Sequence, residues 1–364
     1  MDVPFKYMLT LKTAQEGPLG KIFSEKRLNP TVIMALHLMN EKQNATSAWK
    51  PWLDVLPSTF ETPIYWSEAD LEEMKGSTLL SVVQKRQDTI VTDHKALFES
   101  LNKDYPGTFD MAKYTVGEFK WALSTVWSRA FVFNVEKQLV PVIVPFADMF
   151  SHANVESEFS LEEEAGAFRI KAGQDYKAGE PVYISLGQKP NSQLLLNYGF
   201  VLDQNPYDTV MINMFLNEDD PFYDIKSKML KARGQPAETL YYLGGSDLPA
   251  DFLRALRVQL MKPSELDSYA KVFDNKRVSL ENELDVYRQV VAACDTLLKQ
   301  YPTSAVNDSK AIASEEFKAF AERKQTAMVL RFGEKRVLHR TVELISQAWS
   351  QFLISGFADE KAKK

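Results

Sequence analysis

Apolar residues recur at two different periods along this 364-residue chain. Over the first third the spacing is helical. Ile33, Leu36, Leu38 and Met39 follow the opening Asn29-Pro30-Thr31, and Phe119, Ala122, Leu123, Val126 and Trp127 share one face behind the capping box Thr115-Val116-Gly117-Glu118. Ser67-Glu68-Ala69-Asp70 has the form of a second capping signal, ahead of Leu71, Met74 and a long helix running towards Leu101. Residues 49–63, rich in proline and aromatics, predict irregular packing structure. The period then changes. Residues 139–145 form a short β-branched run bounded by prolines, and 167–172 alternate as a half-exposed strand does. Residues 177–180 predict a turn, 181–186 the next strand, and 191–197 a short helix ending at Gly199. Helical spacing returns over 253–261, 281–301 and 314–352, with Gly333 predicting a break or kink in the last. The order is helices, a β-rich centre, then an all-helical final third, an α+β chain.

Composition narrows the class. Hydrophobic residues make up 45% and charged residues 25%, the balance of an ordinary folded protein long enough for about two domains. The net charge of −6 argues against a dedicated nucleic-acid binder, and the tail Lys361-Ala362-Lys363-Lys364 reads as a solvated charge cluster. A single cysteine, Cys294 in an apolar stretch, excludes a disulfide within the chain. It reads as a small buried hydrophobe in a reducing, intracellular compartment. No run approaches the ~18 apolar residues of a membrane span, and the opening residues show no signal-peptide character. Phosphate loops, dinucleotide fingerprints and Cys/His zinc spacings are absent, so no metal site is expected. His37, His94, His152 and His339 are scattered, and each alone reads as a surface or packing histidine. These features leave the function open.

The informative region is residues 121–200. It contains Ser128-Arg129-Ala130-Phe131, then Asp148-Met149-Phe150-Ser151-His152, then Gly179-Glu180-Pro181-Val182-Tyr183-Ile184-Ser185-Leu186-Gly187, then Asn191-Ser192-Gln193-Leu194-Leu195-Leu196-Asn197-Tyr198-Gly199-Phe200. In this order and spacing they resemble the C-terminal half of a SET domain of the Rubisco large-subunit methyltransferase and actin-histidine methyltransferase class. Trp49-Lys50-Pro51-Trp52-Leu53-Asp54-Val55-Leu56-Pro57 is similar to a recurring pattern of that class's helical insert, and Leu330-Arg331-Phe332-Gly333-Glu334-Lys335 to a segment of its final helix. The resemblance implies a SET domain over 1–208, with a helical insert at 25–125 and a C-terminal SET core at 126–208. A helical substrate-binding domain would follow at 209–357, and a charged tail at 358–364.

The resemblance further implies methyl transfer from S-adenosyl-L-methionine to a lysine (or histidine) of a protein substrate, by a monomer that needs neither metal nor nucleic acid. The cofactor would be bound by Arg129, Asp148, Ser151, His152, Tyr198 and Phe200, with Tyr198 also bordering the channel for the target side chain. Arg129 read alone is a helix-end arginine capping carbonyls, and Tyr198 and Phe200 read alone are core aromatics; both readings stay open. Three departures stand out. The class's opening strands, with a Gly-x-Gly-like segment, are expected before residue 1. Ser151 stands where the class has asparagine. Leu186 occupies the position of the catalytic tyrosine, and leucine offers no hydroxyl. Tyr183, three positions earlier in an expected strand, faces the other way and is no substitute. A non-catalytic SET-fold protein-binding module is therefore the alternative reading.

Overall fold

The computed structural model describes residues 1–135, 137–274 and 276–362. Lys363 and Lys364 of the expected charged tail lie outside the described residues. The chain divides into two compact units. The first comprises Met1–Trp66, Val82–Lys189 and Gln193–Gly199; the second comprises Ser67–Ser81, Pro190–Ser192 and the chain from Phe200 onward.

Two capped helices form the helical base of the first unit. Pro30–Gln43 begins at Asn29, whose side-chain oxygen accepts the Thr31 N–H at 2.8 Å. Pro30 takes the first helical position, where a missing N–H costs nothing. Residues 33–39 of this helix are buried without interruption, which is why its apolar pattern is broad and not a narrow stripe. The helix Val116–Arg129 packs against it. Thr115 caps that helix by accepting the Glu118 N–H, and Glu118 in turn pairs with Lys42 at 2.7 Å. Lys42 also lies 4.0 Å from the centre of the Trp121 ring. These contacts fix the helix whose last residue is Arg129.

Short sheets follow. Ala130–Val135 pairs antiparallel with Gln138–Ile143, and Ala167–Ala172 is flanked by Ser157–Glu162 and Asp2–Pro4, both antiparallel to it. Ser151–His152 and Tyr183–Ile184 form a two-residue parallel pair. They enclose a core of Val3, Met8, Phe131, Val142, Val144, Ala147, Phe168, Ile170 and Ile184. Phe131 meets Phe168 and Phe159 with ring centres 4.8 and 5.1 Å apart, close enough to add to plain burial.

The second unit packs the helices Ala250–Gln259, Leu280–Leu298 and Glu322–Ala362 around a core that includes Val210, Leu243, Phe252, Val286, Val290 and Leu338. Cys294 is buried within it. Some of the charges inside are paired. Arg257 donates two hydrogen bonds of 2.8 Å to Glu283, and Lys335 reaches Asp308 at 2.5 Å.

The α+β architecture is as the sequence predicts, with four corrections. The final third is not purely helical, because Thr209–Phe215 and Glu238–Gly244 form an antiparallel ribbon. Its inner face carries Val210, Ile212, Met214, Tyr241 and Leu243, but Phe215, Leu240 and Tyr242 on the outer face are also apolar, so the alternation of a strand is hidden. Second, Gly333 does not break its helix, which continues from Glu322 to Ala362. A side chain there would collide with the Asp208 carboxylate, so Gly333 marks a close approach. Third, Ser67 and Asp70 form a capping box, but for the separate short helix Glu68–Glu72; the long helix Leu79–Asp104 starts afresh. Fourth, the strand expected at 181–186 shrinks to Tyr183–Ile184.

Candidate functional site

The chain leaves the helix Val116–Arg129 at its last residue and turns directly into the hairpin of Ala130–Val135 and Gln138–Ile143. Val144 then leads into a single 3-10 turn, Ala147–Met149. This path returns Asp148 to Arg129. The guanidinium Nη1 donates to Asp148 Oδ2 at 3.0 Å and lies 3.6 Å from the Met149 sulfur. Trp52 Nε1 donates to the same Oδ2, also at 3.0 Å. The Asp148 side chain is fully buried and that of Arg129 nearly so, at 17% exposure. Burial pushes the Asp148 carboxyl above its ordinary range, against the opposing pull of Arg129 and Trp52.

Two polar atoms of this pair are unused. Asp148 Oδ1 and Arg129 Nε are buried and find no hydrogen-bond partner among the described residues. An unpaired buried donor beside an unpaired buried acceptor is costly for a protein that never fills them. The backbone adds a second cost. Phe146, which opens the Asp148 turn, has φ of +75° and ψ of −43° although it carries a full side chain, and its ring is 69% exposed. Such a conformation costs about 1–3 kcal/mol and clusters at working sites.

His152 follows four residues after Asp148, on the strand Ser151–His152. Its Nδ1 lies 3.1 Å from the Leu186 nitrogen, whose N–H donates to it, and 3.2 Å from the Ile184 carbonyl oxygen. Whichever tautomer forms, the ring is held by backbone. Burial holds its pKa below the usual histidine value, Lys189 adds in the same direction, and the Ile184 carbonyl opposes both. The ring is thus neutral near pH 7 and acts as a brace for the segment carrying Leu186. Leu186 itself packs against the apolar core of the first unit, as does Phe150. Ser151 is exposed on the same short strand.

Tyr198 ends the helix Asn191–Tyr198, half-buried, and burial raises its hydroxyl pKa. Arg86 is the residue that ties this helix end to the Arg129 helix. It donates to Asn197 Oδ1 at 2.8 Å and to the Leu196 carbonyl at 3.4 Å, and its guanidinium sits 4.6 Å from the centre of the Trp127 ring. Gly199 follows with φ of +84°, and a Cβ there would approach the Glu61 carbonyl carbon to 2.9 Å. Phe200 clusters with the second unit and not with the unit carrying Arg129 and His152.

The structure therefore joins Arg129 to Asp148 and His152 to Leu186, and links the Tyr198 helix to the Arg129 helix through Arg86. Trp52 and Arg86 escaped the sequence reading. The string Trp49-Lys50-Pro51-Trp52 drew attention to the first, but nothing local announces a contact 96 residues away. The remaining histidines pack: His37 is buried with its ring centre 5.5 Å from that of Trp49, and His94 lies 2.8 Å from the Tyr114 carbonyl. No group of three or more His, Cys, Asp or Glu residues suited to a metal occurs among the described residues, and no described helix is long and apolar enough to cross a membrane.

Residues 217–338 match the family described as Rubisco LSMT substrate-binding. The chain is 27% identical to the actin-histidine N-methyltransferase of Gallus gallus and 26% identical to that of Homo sapiens, in each case over 94% of this chain and 60% of the relative. It thus spans about 60% of the length of these curated relatives. Among solved structures it is similar to the SET domain of LSMT bound to lysine and AdoHcy, with a TM-score of 0.81, and to Rubisco LSMT bound to AdoMet, with a TM-score of 0.80. Both are 25% identical and cover 96% of this chain and 82% of the other.

Proposed function

We propose that this chain, similar in sequence and fold to SET-domain methyltransferases of the Rubisco LSMT and actin-histidine class, belongs to an S-adenosyl-L-methionine-dependent protein N-methyltransferase acting on a lysine or histidine side chain. The observation that carries the reading is the buried pair Arg129–Asp148 with one donor and one acceptor left over. The amino-acid end of the cofactor carries a carboxylate and an ammonium side by side. Arg129 Nε suits the first as a charge-assisted donor, and Asp148 Oδ1 suits the second as an acceptor. When bound, the cofactor supplies an electrophilic methyl group for in-line displacement by a neutral amine or imidazole.

The chain's own residues would supply alignment and desolvation. Trp52 holds Asp148 so that its free oxygen faces one way, and the 3-10 turn keeps that oxygen beside Arg129. His152 braces the segment of Leu186 through its backbone contact and needs no proton transfer for this role. Tyr198 would border the channel for the target side chain, where an apolar lining penalises a charged ammonium and so favours the nucleophilic neutral form. Ser151 completes the proposed cofactor contacts within the first unit.

One observation favours a second reading. Leu186 packs against the apolar core where a hydroxyl would be required for orienting the target nitrogen. A SET-fold module that binds a protein and transfers nothing would show the same packing. Incubation with methyl-tritiated S-adenosyl-L-methionine and a whole-cell protein extract separates the two. Label entering a discrete protein band supports the enzyme; no label above that of a boiled control supports the binding module.

A further inference from the structure

We propose that the second unit holds a recognition cleft for a single carboxylate of a partner polypeptide, and that Arg336 is the group that binds it. This deepens the reading of the chain as one that engages a protein substrate and rests on it.

A cavity of about 550 Å³ opens between the helix Glu322–Ala362 and two loops, lined by Asn205, Asp208, Ser246, Arg336, Arg340 and Glu343 among others. Arg336 also lines a second cavity of about 230 Å³. Arg336 and Arg340 are one helical turn apart and share a face. Their situations differ. Arg340 donates to Glu343 at 2.9 Å, while Arg336 has no carboxylate within ion-pair range among the described residues and lies only over the Phe332 ring, at 5.7 Å. Asp208 feels the Arg336 charge, but its oxygens already accept from the backbone and side-chain nitrogens of Asn191, at 2.9 and 3.3 Å. Arg336 is thus exposed at the mouth of the cleft with no direct ion pair among the described residues, Asp208 acting on it only through space.

The surroundings define the ligand. Arg336, Arg340, Asp208 and Glu343 line the same cavity with formal charges that cancel, so a dianionic phosphate would leave two excess negative charges there and a single carboxylate only one, held directly by Arg336. The net charge of −6 opposes a nucleic acid. The wall at Gly245 is bare, with nothing within 4 Å of where a side chain would start. The strand Glu238–Gly244 that runs into it shows Leu240 and Tyr242 to solvent, 51% and 53% exposed. An acidic side chain flanked by apolar residues of an extended polypeptide matches a cationic cleft beside an apolar ribbon.

The test is fluorescence anisotropy with a labelled peptide, Gly-Phe-Glu-Leu-Gly, on the full chain. Saturable binding is expected, at least tenfold weaker when the peptide's Glu is replaced by Gln. Arg336→Ala is expected to lower the affinity about tenfold or more, and Gly245→Phe to abolish binding by filling the cleft. Thermal melting checks that both variants fold, and Arg336→Glu supplies a third arm by preferring the same peptide with Lys in place of Glu. Equal binding of the Glu and Gln peptides, unchanged affinity in Arg336→Ala and Gly245→Phe, or displacement of the peptide by inorganic phosphate at lower concentration than by acetate would overturn the proposal. Affinity for S-adenosyl-L-methionine, measured on the same variants, is expected to stay unchanged. Its loss from the wild-type chain would sink the methyltransferase reading alone, and loss of peptide binding would sink the cleft alone.

Discussion

Leu186 is the residue at which sequence and proposed chemistry conflict most directly. Its N–H donates to His152 and its side chain packs against the core, while leucine offers the proposed chemistry no hydroxyl. Leu186→Tyr restores a hydroxyl with little change of backbone, and methyl transfer is expected to rise by on the order of a hundredfold, the typical value of one transition-state hydrogen bond. A labelling assay comparing the two chains reads this directly, and equal rates would remove Leu186 from the account. Cys294 gives a simpler expectation. Burial pushes its thiol up to about 12, so iodoacetamide should leave it unmodified in the native chain at pH 8 and label it once the chain is unfolded.

At the scale of elements, glycines do the shaping that composition conceals. Gly199 ends the Tyr198 helix with φ of +84° while Glu61 and Thr62 crowd the space a Cβ would need. Gly199→Ala is expected to destabilise the first unit by about 2 kcal/mol or more, seen as a lower denaturant midpoint with the slope unchanged. A glycine closing the short helix was readable from the string Asn197-Tyr198-Gly199-Phe200, and capping residues such as Thr115 and Asn29 announced their helices equally well. These are local signals, settled within four residues. Other elements were illegible for physical reasons. The ribbon Thr209–Phe215 and Glu238–Gly244 is apolar on both faces, so its period of two vanished. Gly333 looked like a helix breaker because sequence cannot reveal that Asp208, 125 positions earlier by their numbering, presses against it. The Arg129 and His152 motifs were visible as strings, whereas Trp52 and Arg86 act only through contacts that folding creates.

Across the whole molecule, buried carboxyls set the response to pH. Glu334 is enclosed with Ser77 and Tyr301 as donors at 2.8 and 3.0 Å, and burial pushes its pKa to about 7. Asp208 is pushed to about 6. Both folded values lie above those of the unfolded chain, so each stabilises the protonated form. That stability is complete below about pH 4 and is lost as pH rises through 6 to 7. Glu334→Gln keeps acceptor and donor without the charge. The difference in unfolding free energy between the variant and the parent, read from denaturant midpoints, is expected to grow from pH 5 to pH 8, by on the order of 3 kcal/mol at most. A difference that stays flat across that window would show Glu334 to be charged throughout.

The central claim is that Arg129 and Asp148 together form one end of a cofactor site, and calorimetric titration with S-adenosyl-L-methionine addresses it most directly. The parent chain is expected to bind with micromolar affinity, and Arg129→Ala, at equal melting temperature, to lose at least tenfold. No measurable heat from the parent, or identical affinities in the two chains, would contradict it.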